Sequence, residues 1–467
     1  MKTNVAVKRP PVLTHEAGPA EPHQKPIQEL ERAVASCLLG EDTFYEDGGS
    51  VKDRITALAT SCNPILVSDL AIKARNKWRL RHAPLQLVLG LLQQNNKPKM
   101  NTKTIFDVPP GLISHTISQV IQRPDEMAEL LAMYWANRNP TEPKKIPAQL
   151  KKGLAAAFPK FDAYQLAKWN RDGAIKLRDV LFLCHAKPQT PEQAELWKQL
   201  INKTLPTPDT WEVALSSGAD KKESWERLIN TNKLPYMALL QNLRGMMEVG
   251  VGQNVVGEYL LKGAEKSKAL PFRYLSALRA CPQLAEHIEK AMLKSLNGSL
   301  IKIPGMTYIV VDVSGSMDAP LSDKSTVSRL DAACSLAVMA REVCESVRVF
   351  TFSERLKEVA NYRGLALVNE IHASQNHGGT YLGRALEVLK KNSTLSPARV
   401  VIVTDEQSAD GGVQSEFMPG TLGYVLNVAV YKPALKTGKG WTRINGLSEQ
   451  FMSWVVENEG LDKGNKE

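Results

Sequence analysis

The chain has 467 residues, which is long enough for two or three domains. It carries a formal net charge of +10. It contains neither an uncharged apolar stretch of about 18 residues nor a basic-then-apolar signal segment at its start, so we expect a soluble, cytoplasmic protein. The six cysteines are scattered singly and form no CxxC pair, which predicts reduced core thiols rather than disulfides or zinc ligands.

The positive charge is concentrated in one part of the chain. Residues 51–200 contain 23 Lys or Arg but only 12 Asp or Glu, whereas residues 301–467 contain 18 basic and 19 acidic side chains. A surplus gathered in one domain is typical of a protein that binds a polyanion. The alternative is a mildly basic surface without a specific partner.

The first 300 residues are predicted to be helical. Residues 1–26 contain five prolines and no apolar periodicity, which predicts a flexible N-terminal arm. Short helices follow, with Ser68, Thr190 and Asp162 as candidate caps. Stacked helical pairs of the HEAT type would account for them, and a compact irregular all-α domain is the alternative. The predicted helices are Ile27–Leu39, Val51–Ser61, Ser68–Arg81, Ala83–Gln94, Gly111–Ser118, Asp125–Asn137, Pro147–Ala157, Asp162–Trp169, Leu177–His185, Pro191–Ile201, Thr207–Ala214, Lys222–Ile229, Pro235–Met247, Gly252–Leu261, Pro271–Ala280 and Gln283–Asn297.

From about Ile301 the pattern changes to strands that alternate with helices. This alternation predicts an open, mostly parallel sheet of the Rossmann-like kind, with helices on both faces and a ligand site beyond the carboxyl ends of the strands. The predicted strands are Thr307–Val313, Val347–Phe352, Ala398–Thr404 and Gly423–Val430, and the predicted helices are Ser328–Glu345, Tyr381–Lys391 and Leu447–Glu459.

Oxygen-bearing side chains follow the carboxyl ends of these strands. The apolar run from Tyr308 leads into Asp312, Ser314 and Ser316, the glycine-rich segment His377–Gly383 contains Thr380, and Asp405 follows Thr404. Carboxylates and hydroxyls are hard ligands for Mg²⁺ or Mn²⁺, and two carboxylates leave room in the coordination sphere for an outside acidic group.

Other interpretations of these residues stay open. The two serines could cap the loop and Asp405 a helix. His377 could be a further ligand, although the glycines after it favour a plain loop histidine. Glu406 could serve as a base near the metal, or equally as a supporting or surface group.

This constellation resembles the von Willebrand factor A domain with its metal-ion-dependent adhesion site. The resemblance covers roughly 160 residues and implies that Asp312, Ser314, Ser316, Thr380 and Asp405 hold a divalent cation. It also implies a protein partner that supplies an acidic group to the metal.

Several stretches of the helical part are similar to the TROVE module of the Ro ribonucleoprotein family, in its bacterial and phage branch. The resemblance covers about residues 27–300 and implies a ring of HEAT-like helices closed by the A-like domain. It further implies binding of a small Y-like RNA on a basic outer face, and of single-stranded ends of structured or misfolded RNA in a central hole. The resemblance to bacterial relatives also implies an exoribonuclease partner that is tethered through the RNA. The stretches are Leu38–Tyr45, Leu80–Pro84, Lys151–Phe158, Tyr164–Arg171, Val180–Pro188 and Leu234–Leu243.

The family pattern assigns RNA contacts by position. His185 falls on an RNA-contacting histidine and Lys168 on a lysine used for Y RNA contact, while a family arginine aligns with Asp172, one residue after Arg171. Residues 151–187 also combine cations with aromatic rings, as single-stranded RNA requires. Further candidates are Lys151, Lys152 and Lys187, together with Arg79 and Arg81 from a basic cluster at 73–82 that the pattern places along one helix.

Each of these residues has a structural alternative. His185 could be a core or helix-end residue, Lys151 and Lys152 an ordinary solvated face, and Trp169 a core side chain. The overall prediction is a non-enzymatic RNA-binding protein. The alternatives are a metal-dependent protein-binding adaptor with a helical scaffold, and an RNA-processing enzyme.

Overall fold

The computed structural model describes residues 26–36, 48–96, 106–136, 145–170, 173–267, 269, 271–297, 302–320, 327–393, 396–410, 418–428, 440–445 and 451–461. The first 25 residues of the predicted arm, Cys37 and Arg171 lie outside these ranges. The chain forms two compact units. Residues 26–36 and 49–256 make up the helical unit, and the chain from Gly257 onwards makes up the sheet unit.

The helical prediction is confirmed, because each of the sixteen predicted helices is present and no described residue before 302 lies in a strand. The helices are α1 (Pro26–Ser36), α2 (Gly48–Ser61), α3 (Pro64–Asn76), α4 (His82–Asn96), α5 (Leu112–Val120), α6 (Pro124–Ala136), α7 (Ala148–Ala157), α8 (Ala163–Trp169), α9 (Leu177–Cys184), α10 (Pro191–Asn202), α11 (Trp211–Ser216), α12 (Lys221–Asn230), α13 (Tyr236–Glu248), α14 (Gln253–Ala264), α15 (Pro271–Ala280) and α16 (Ala285–Asn297).

Two of the three predicted caps are confirmed. Thr190 and Asp162 accept hydrogen bonds from backbone N–H groups in the first turns of α10 and α8. The prediction that Ser68 caps α3 was wrong, because the helix begins earlier and Asn63 is its N-cap. The Ser68 hydroxyl is buried instead and lies 2.6 Å from the Thr116 hydroxyl of α5, where it joins two helices.

The basic cluster at residues 73–82 does not lie along one helix, so that prediction was wrong. Helix α3 ends at Asn76, and α4 begins at His82. Arg79 in the connecting turn has a φ of 57°, a left-handed conformation that ends the helical hydrogen-bond ladder. Trp78 is buried there, which shows that tertiary packing of the turn overrode the helical propensity of the cluster.

The sheet unit contains six strands in the order β3-β2-β1-β4-β5-β6. Neighbouring strands are parallel except for β2 and β3, which are antiparallel. The open, mostly parallel sheet is therefore confirmed. Its elements are β1 (Ile303–Asp312), α17 (Arg329–Val343), β2 (Cys344–Phe352), β3 (Leu356–Glu358), α18 (Gly364–His372), α19 (Leu382–Asn392), β4 (Arg399–Thr404), β5 (Leu422–Asn427), β6 (Trp441–Asn445) and α20 (Phe451–Asn458).

The prediction missed three short elements of this unit, β3, α18 and β6. β3 has only three residues, too few to show a strand period, and no alternation or capping pattern singled out α18 or β6 in the sequence. The helices α15 and α16 pack against α17, and the compact unit thus takes in residues 257–300 in addition to the predicted 301–467. The ends of two predicted elements, at 429–430 and 447–450, lie outside the described residues.

The central strands of the sheet unit are buried. All six residues of β4 are buried, as are the last six of β1. Continuous burial of this kind is expected of central parallel strands with a layer on each face. The five cysteines in the described residues are buried free thiols, as predicted. No helix among the described residues is long and apolar enough to cross a membrane.

Candidate functional site

The predicted metal ligands meet at the carboxyl edge of the sheet. Asp312 is the last residue of β1, and Asp405 directly follows β4, the parallel neighbour of β1. Both carboxylates are fully buried. The register places Val311 of β1 beside Val403 of β4, so the loops that follow these two strands leave the sheet next to each other. The topology therefore delivers two acidic groups to one point, as the sequence predicted.

The carboxylate of Asp312 is held from two sides. It accepts a hydrogen bond from the backbone N–H of Ser314 at 2.9 Å and one from the hydroxyl of Thr404 at 2.5 Å. Burial and the nearby charge of Asp405 raise the pKa of Asp312 to about 7, against the opposing effect of these hydrogen bonds. The charge of Asp405 thus disfavours a second negative charge on Asp312.

The hydroxyl groups lie in the loops around these carboxylates. The Oγ atoms of Ser314 and Ser316 are 3.3 Å apart, in the loop after β1. Thr380 is buried in the second loop, and its carbonyl accepts from the N–H of Ala409 in the third loop. The N–H of Gly315 donates to the carbonyl of Gly378, which ties the first loop to the second. Backbone hydrogen bonds therefore hold all three loops together.

Ser353, which was not predicted, supports the second loop. Its hydroxyl accepts from the N–H of Gly378 at 3.0 Å and donates to the carbonyl of Gly379 at 2.9 Å. Its own carbonyl accepts from the N–H of Tyr381. A buried serine at the end of β2 thereby fixes the segment on both sides of Thr380. A hydroxyl just after a strand carries no distinctive pattern, so sequence reasoning had no means of finding it.

Arg329 is the second residue that sequence reasoning missed. It is the first residue of α17, and its guanidinium donates to a carboxylate oxygen of Asp405 at 3.0 Å and to the carbonyl of Ser316 at 3.2 Å. Its side chain is 10% exposed. A buried cation therefore already compensates one of the two carboxylates.

The donor set fits a hard divalent cation. Asp312, Asp405, Ser314, Ser316 and Thr380 offer only oxygen atoms, which are the hard ligands that Mg²⁺ or Mn²⁺ prefers. Among the described residues, no group of three or more His, Cys, Asp or Glu side chains could hold a metal ion. Any cation at this edge would therefore depend on the hydroxyl groups as well as on the carboxylates.

Two neighbouring side chains are engaged elsewhere. Glu406 is buried and forms an ion pair with Arg443 at 3.0 Å, and the amide of Asn427 donates to it at 2.7 Å. It is thus a buried structural group. His377 lies 2.8 Å from Asp318, and its other ring nitrogen lies 3.2 Å from the carbonyl of His372. Burial opposes protonation of His377, but these two partners outweigh it and raise its pKa.

A second candidate site lies on the helical unit around Lys168. The Nζ atom of Lys168 lies 5.7 Å from the ring centroid of Tyr164 and 5.5 Å from that of Trp169. The guanidinium of Arg123 lies 3.5 Å from the centroid of Trp169. Trp169 is only partly buried, and Tyr164 is 48% exposed. Cations and accessible aromatic rings therefore alternate along this surface, a combination suited to phosphates and bases.

The side chains of the other predicted RNA contacts differ in their exposure to solvent. Lys152, Lys187, Arg79 and His185 are exposed, and Lys151 is partly exposed. His185 ends α9 in a left-handed conformation with φ of 53°. It is thus a helix-end residue, with its side chain open to solvent. Arg171 lies outside the described residues.

Arg81 is engaged by acidic side chains. Its guanidinium lies 3.0 Å from Asp125, 2.9 Å from Glu129 and 3.7 Å from Glu126, all on α6. Lys160 is likewise occupied, because its ammonium group donates to the backbone carbonyls of Ser118 and Ile121. Burial lowers the pKa of Lys160. Part of the positive charge counted in the sequence is therefore engaged in ion pairs and hydrogen bonds within the helical unit.

Together, the fold and the carboxyl-edge site define a two-module protein. A long array of short helices precedes an open α/β sheet with an Asp-x-Ser-x-Ser loop. Residues 202–351 match the family model of the TROVE domain, and residues 307–407 match that of the von Willebrand factor type A domain. These two regions are therefore similar to the two domains, and the predicted resemblance to the Ro ribonucleoprotein family is confirmed.

A solved structure and two curated proteins agree with these matches. The crystal structure of the Ro (Rsr) protein of Deinococcus radiodurans has the same fold, with a TM-score of 0.64 and 16% identity, and the match covers 91% of this chain and 97% of that chain. Telomerase protein component 1 of Mus musculus is 32% identical over 149 residues, which is 30% of this chain. The Rattus norvegicus protein is 34% identical over 104 residues, or 21% of this chain. These matches span only 6% and 4% of the two telomerase proteins.

Proposed function

We propose that this chain is the RNA-binding core protein of a Ro-like ribonucleoprotein that acts in RNA quality control in the cytoplasm. An RNA-binding protein of the Ro and TROVE type is the function that the domain matches support. The observation that carries the proposal is the surface of the helical unit where the partly buried Lys168 and Trp169 lie beside the exposed Tyr164. Its proposed ligands are a small Y-like RNA and the single-stranded ends of structured or misfolded RNA.

Recognition would be mainly electrostatic. Exposed lysines and His185 would contact phosphates, and the exposed Tyr164 ring would stack on a base. Phosphate contacts displace condensed counterions, so the affinity should fall steeply as salt rises. Arg81 has no part in this proposal, because its guanidinium is paired with the acidic groups of α6.

We further propose that Asp312, Ser314, Ser316, Thr380 and Asp405 hold Mg²⁺ or Mn²⁺. The bound cation would supply Lewis acidity toward an acidic group of a protein partner. The chain's own residues shape the site, because backbone hydrogen bonds join the loops and Ser353 positions the segment with Thr380. An exoribonuclease that associates through the RNA is a further proposed partner.

We propose binding rather than catalysis at the carboxyl edge. The carboxylate of Glu406 would have to leave Arg443 and Asn427 before it could act as a base, and it would then leave a buried cation unpaired. This arrangement supports a docking role for the site.

The test is RNA binding by a double variant, Lys168→Ala with His185→Ala. The RNA should be a hairpin with a single-stranded tail, studied at moderate salt, and we expect a loss of affinity of about tenfold. The matched control is Lys390→Ala with Lys391→Ala, which removes two exposed lysines from the sheet unit. Equal affinities of the double variant and the wild type would contradict the assignment. Binding of an acidic protein, with no RNA binding by the wild type, would favour the adaptor instead.

A further inference from the structure

An open groove of about 410 Å³ lies beside helices α9 and α10 of the helical unit. Its walls include Phe182, Pro188 and Ile201, and His185, Trp197 and Lys198 also line it. The volume falls in the range of sites that hold small organic groups. Most of the lining is apolar, and the polar groups are few.

Phe182 forms an exposed aromatic wall of this groove. Its side chain is 57% exposed, whereas its neighbour Leu181 is buried at 6%. Helix α9 therefore buries Leu181 in the core and leaves the Phe182 ring in water. An aromatic ring held in this way on a rigid helix is available to stack on a flat partner.

Trp197 supplies a rigid aromatic part of the groove lining. Its side chain is 4% exposed and packs edge-on against Phe158, with 5.6 Å between the ring centroids. The indole Nε1 is buried and has no hydrogen-bond partner among the described residues. Because this nitrogen is out of reach of solvent, the indole serves as a fixed apolar part of the lining.

The surroundings of the groove are positively charged. His185 is exposed at the end of α9, and Lys187 and Lys198 are exposed as well. Lys198 lies 3.7 Å from Glu195, but both side chains are more than half exposed, so this pair neutralises little of its charge. An apolar slot with a cationic rim suits a flat ring attached to an anionic backbone better than it suits an apolar peptide.

We infer that the groove holds one unstacked nucleobase of a single-stranded RNA. The Phe182 ring would stack on the base, the apolar lining would enclose it, and His185, Lys187 and Lys198 would contact the adjacent phosphates. Single-stranded RNA is recognised by this combination of stacking and backbone contacts. The inference rests on the proposed RNA-binding function and names the chemical group that one part of that surface accepts.

A cycle of protein and RNA changes tests the inference. Phe182→Ala should weaken binding of a single-stranded RNA by about fivefold or more, because the stacking partner is lost. The same variant should bind an RNA of abasic nucleotides as well as the wild type does. Phe106→Ala is the matched control, since Phe106 is a 46% exposed phenylalanine of the same unit, and it should leave both affinities unchanged.

Photo-crosslinking locates the base directly. An RNA that carries 4-thiouridine should crosslink to the peptide containing Phe182 in the wild type, and the crosslink should decrease in Phe182→Ala. If Phe182→Ala and Phe106→Ala bind the base-containing RNA equally and no crosslink forms at α9 or α10, the inference is overturned, even while the wild type binds RNA. If the wild type binds no RNA at moderate salt, the proposed function itself fails.

Discussion

The guanidinium of Arg329 lies 3.0 Å from a carboxylate oxygen of Asp405, and both side chains are buried. This pair brings a fixed positive charge from the start of α17 to the carboxyl edge of the sheet. A divalent cation held by Asp312 and Asp405 would have to share Asp405 with this guanidinium or displace it. The ion pair therefore sets how strongly the site attracts a cation.

We predict that Arg329→Met makes the protein more dependent on Mg²⁺. Without the guanidinium, Asp405 is a buried charge without its partner, which costs about 3–5 kcal/mol of unfolding free energy. Added Mg²⁺ should recover much of this loss, so the rise in melting temperature with Mg²⁺ should exceed that of the wild type. Thermal unfolding with and without Mg²⁺ measures both effects.

The control for this variant is Arg348→Met, which breaks an ion pair with Glu358 in which both partners are more than a third exposed. We expect a cost of at most about 1 kcal/mol and no change in the response to Mg²⁺. An Arg329→Met variant with the same Mg²⁺ response as the wild type would show that the guanidinium and the cation do not compete.

We predict that Asp312→Asn abolishes the response to Mg²⁺ without destabilising the metal-free protein. Asparagine has the same shape and can still accept from the Ser314 N–H, but it removes one of two carboxylates that repel each other. The melting temperature without metal should be equal to or above that of the wild type, and Mg²⁺ should no longer raise it. A variant that still gains stability from Mg²⁺ would place the cation elsewhere.

The buried Asp331 gives a prediction for acid stability. Burial opposes its ionisation, but hydrogen bonds from His372, Arg279 and Ser328 outweigh it and hold its pKa well below the ordinary value. A carboxyl group with a lowered pKa stabilises the fold fully above its unfolded pKa of about 4, and this contribution is lost as the pH falls below that value.

Asp331→Asn should therefore lower the unfolding free energy at pH 7 by about 1–3 kcal/mol, because it removes the charge that Arg279 and His372 face. Its stability should decline less than that of the wild type as the pH is lowered below about 4. Urea titrations over a range of pH values measure both curves. Parallel curves, offset by a constant amount, would exclude a role for the Asp331 proton.

Loss of the positive charge should lower stability at Arg81 but affect RNA binding at Lys152. Arg81 is paired with Asp125 and Glu129, so Arg81→Gln should cost about 1 kcal/mol of stability and leave RNA binding unchanged. Lys152 is exposed, so Lys152→Gln should keep stability and lower the slope of log affinity against log salt by about one. A reduced salt slope for Arg81→Gln would mean that its acidic partners release it to RNA.

Local patterns were sufficient for most of the elements and for the place of the carboxyl-edge site. A helix period or a run of apolar residues acts over a few neighbours, and strands that run parallel must present their carboxyl ends at one edge. Asp312 and Asp405 were therefore predictable as neighbours, although 93 residues separate them along the chain. The turn at Arg79 was not predictable, because burial of Trp78 decides where α3 ends.

The sequence by itself determined the two kinds of architecture, the oxygen donors at the sheet edge and the excess of positive charge in the helical part. The tertiary structure decided which of these charges are free to act. In the helical unit it pairs Arg81 with acidic side chains of α6 and places the Lys160 ammonium group against backbone carbonyls, while Lys168 stays at the surface beside Tyr164. In the sheet unit it brings Arg329 to Asp405. The physical reason is that an ion pair depends on distances of a few ångströms between residues far apart in the chain, and only packing sets those distances.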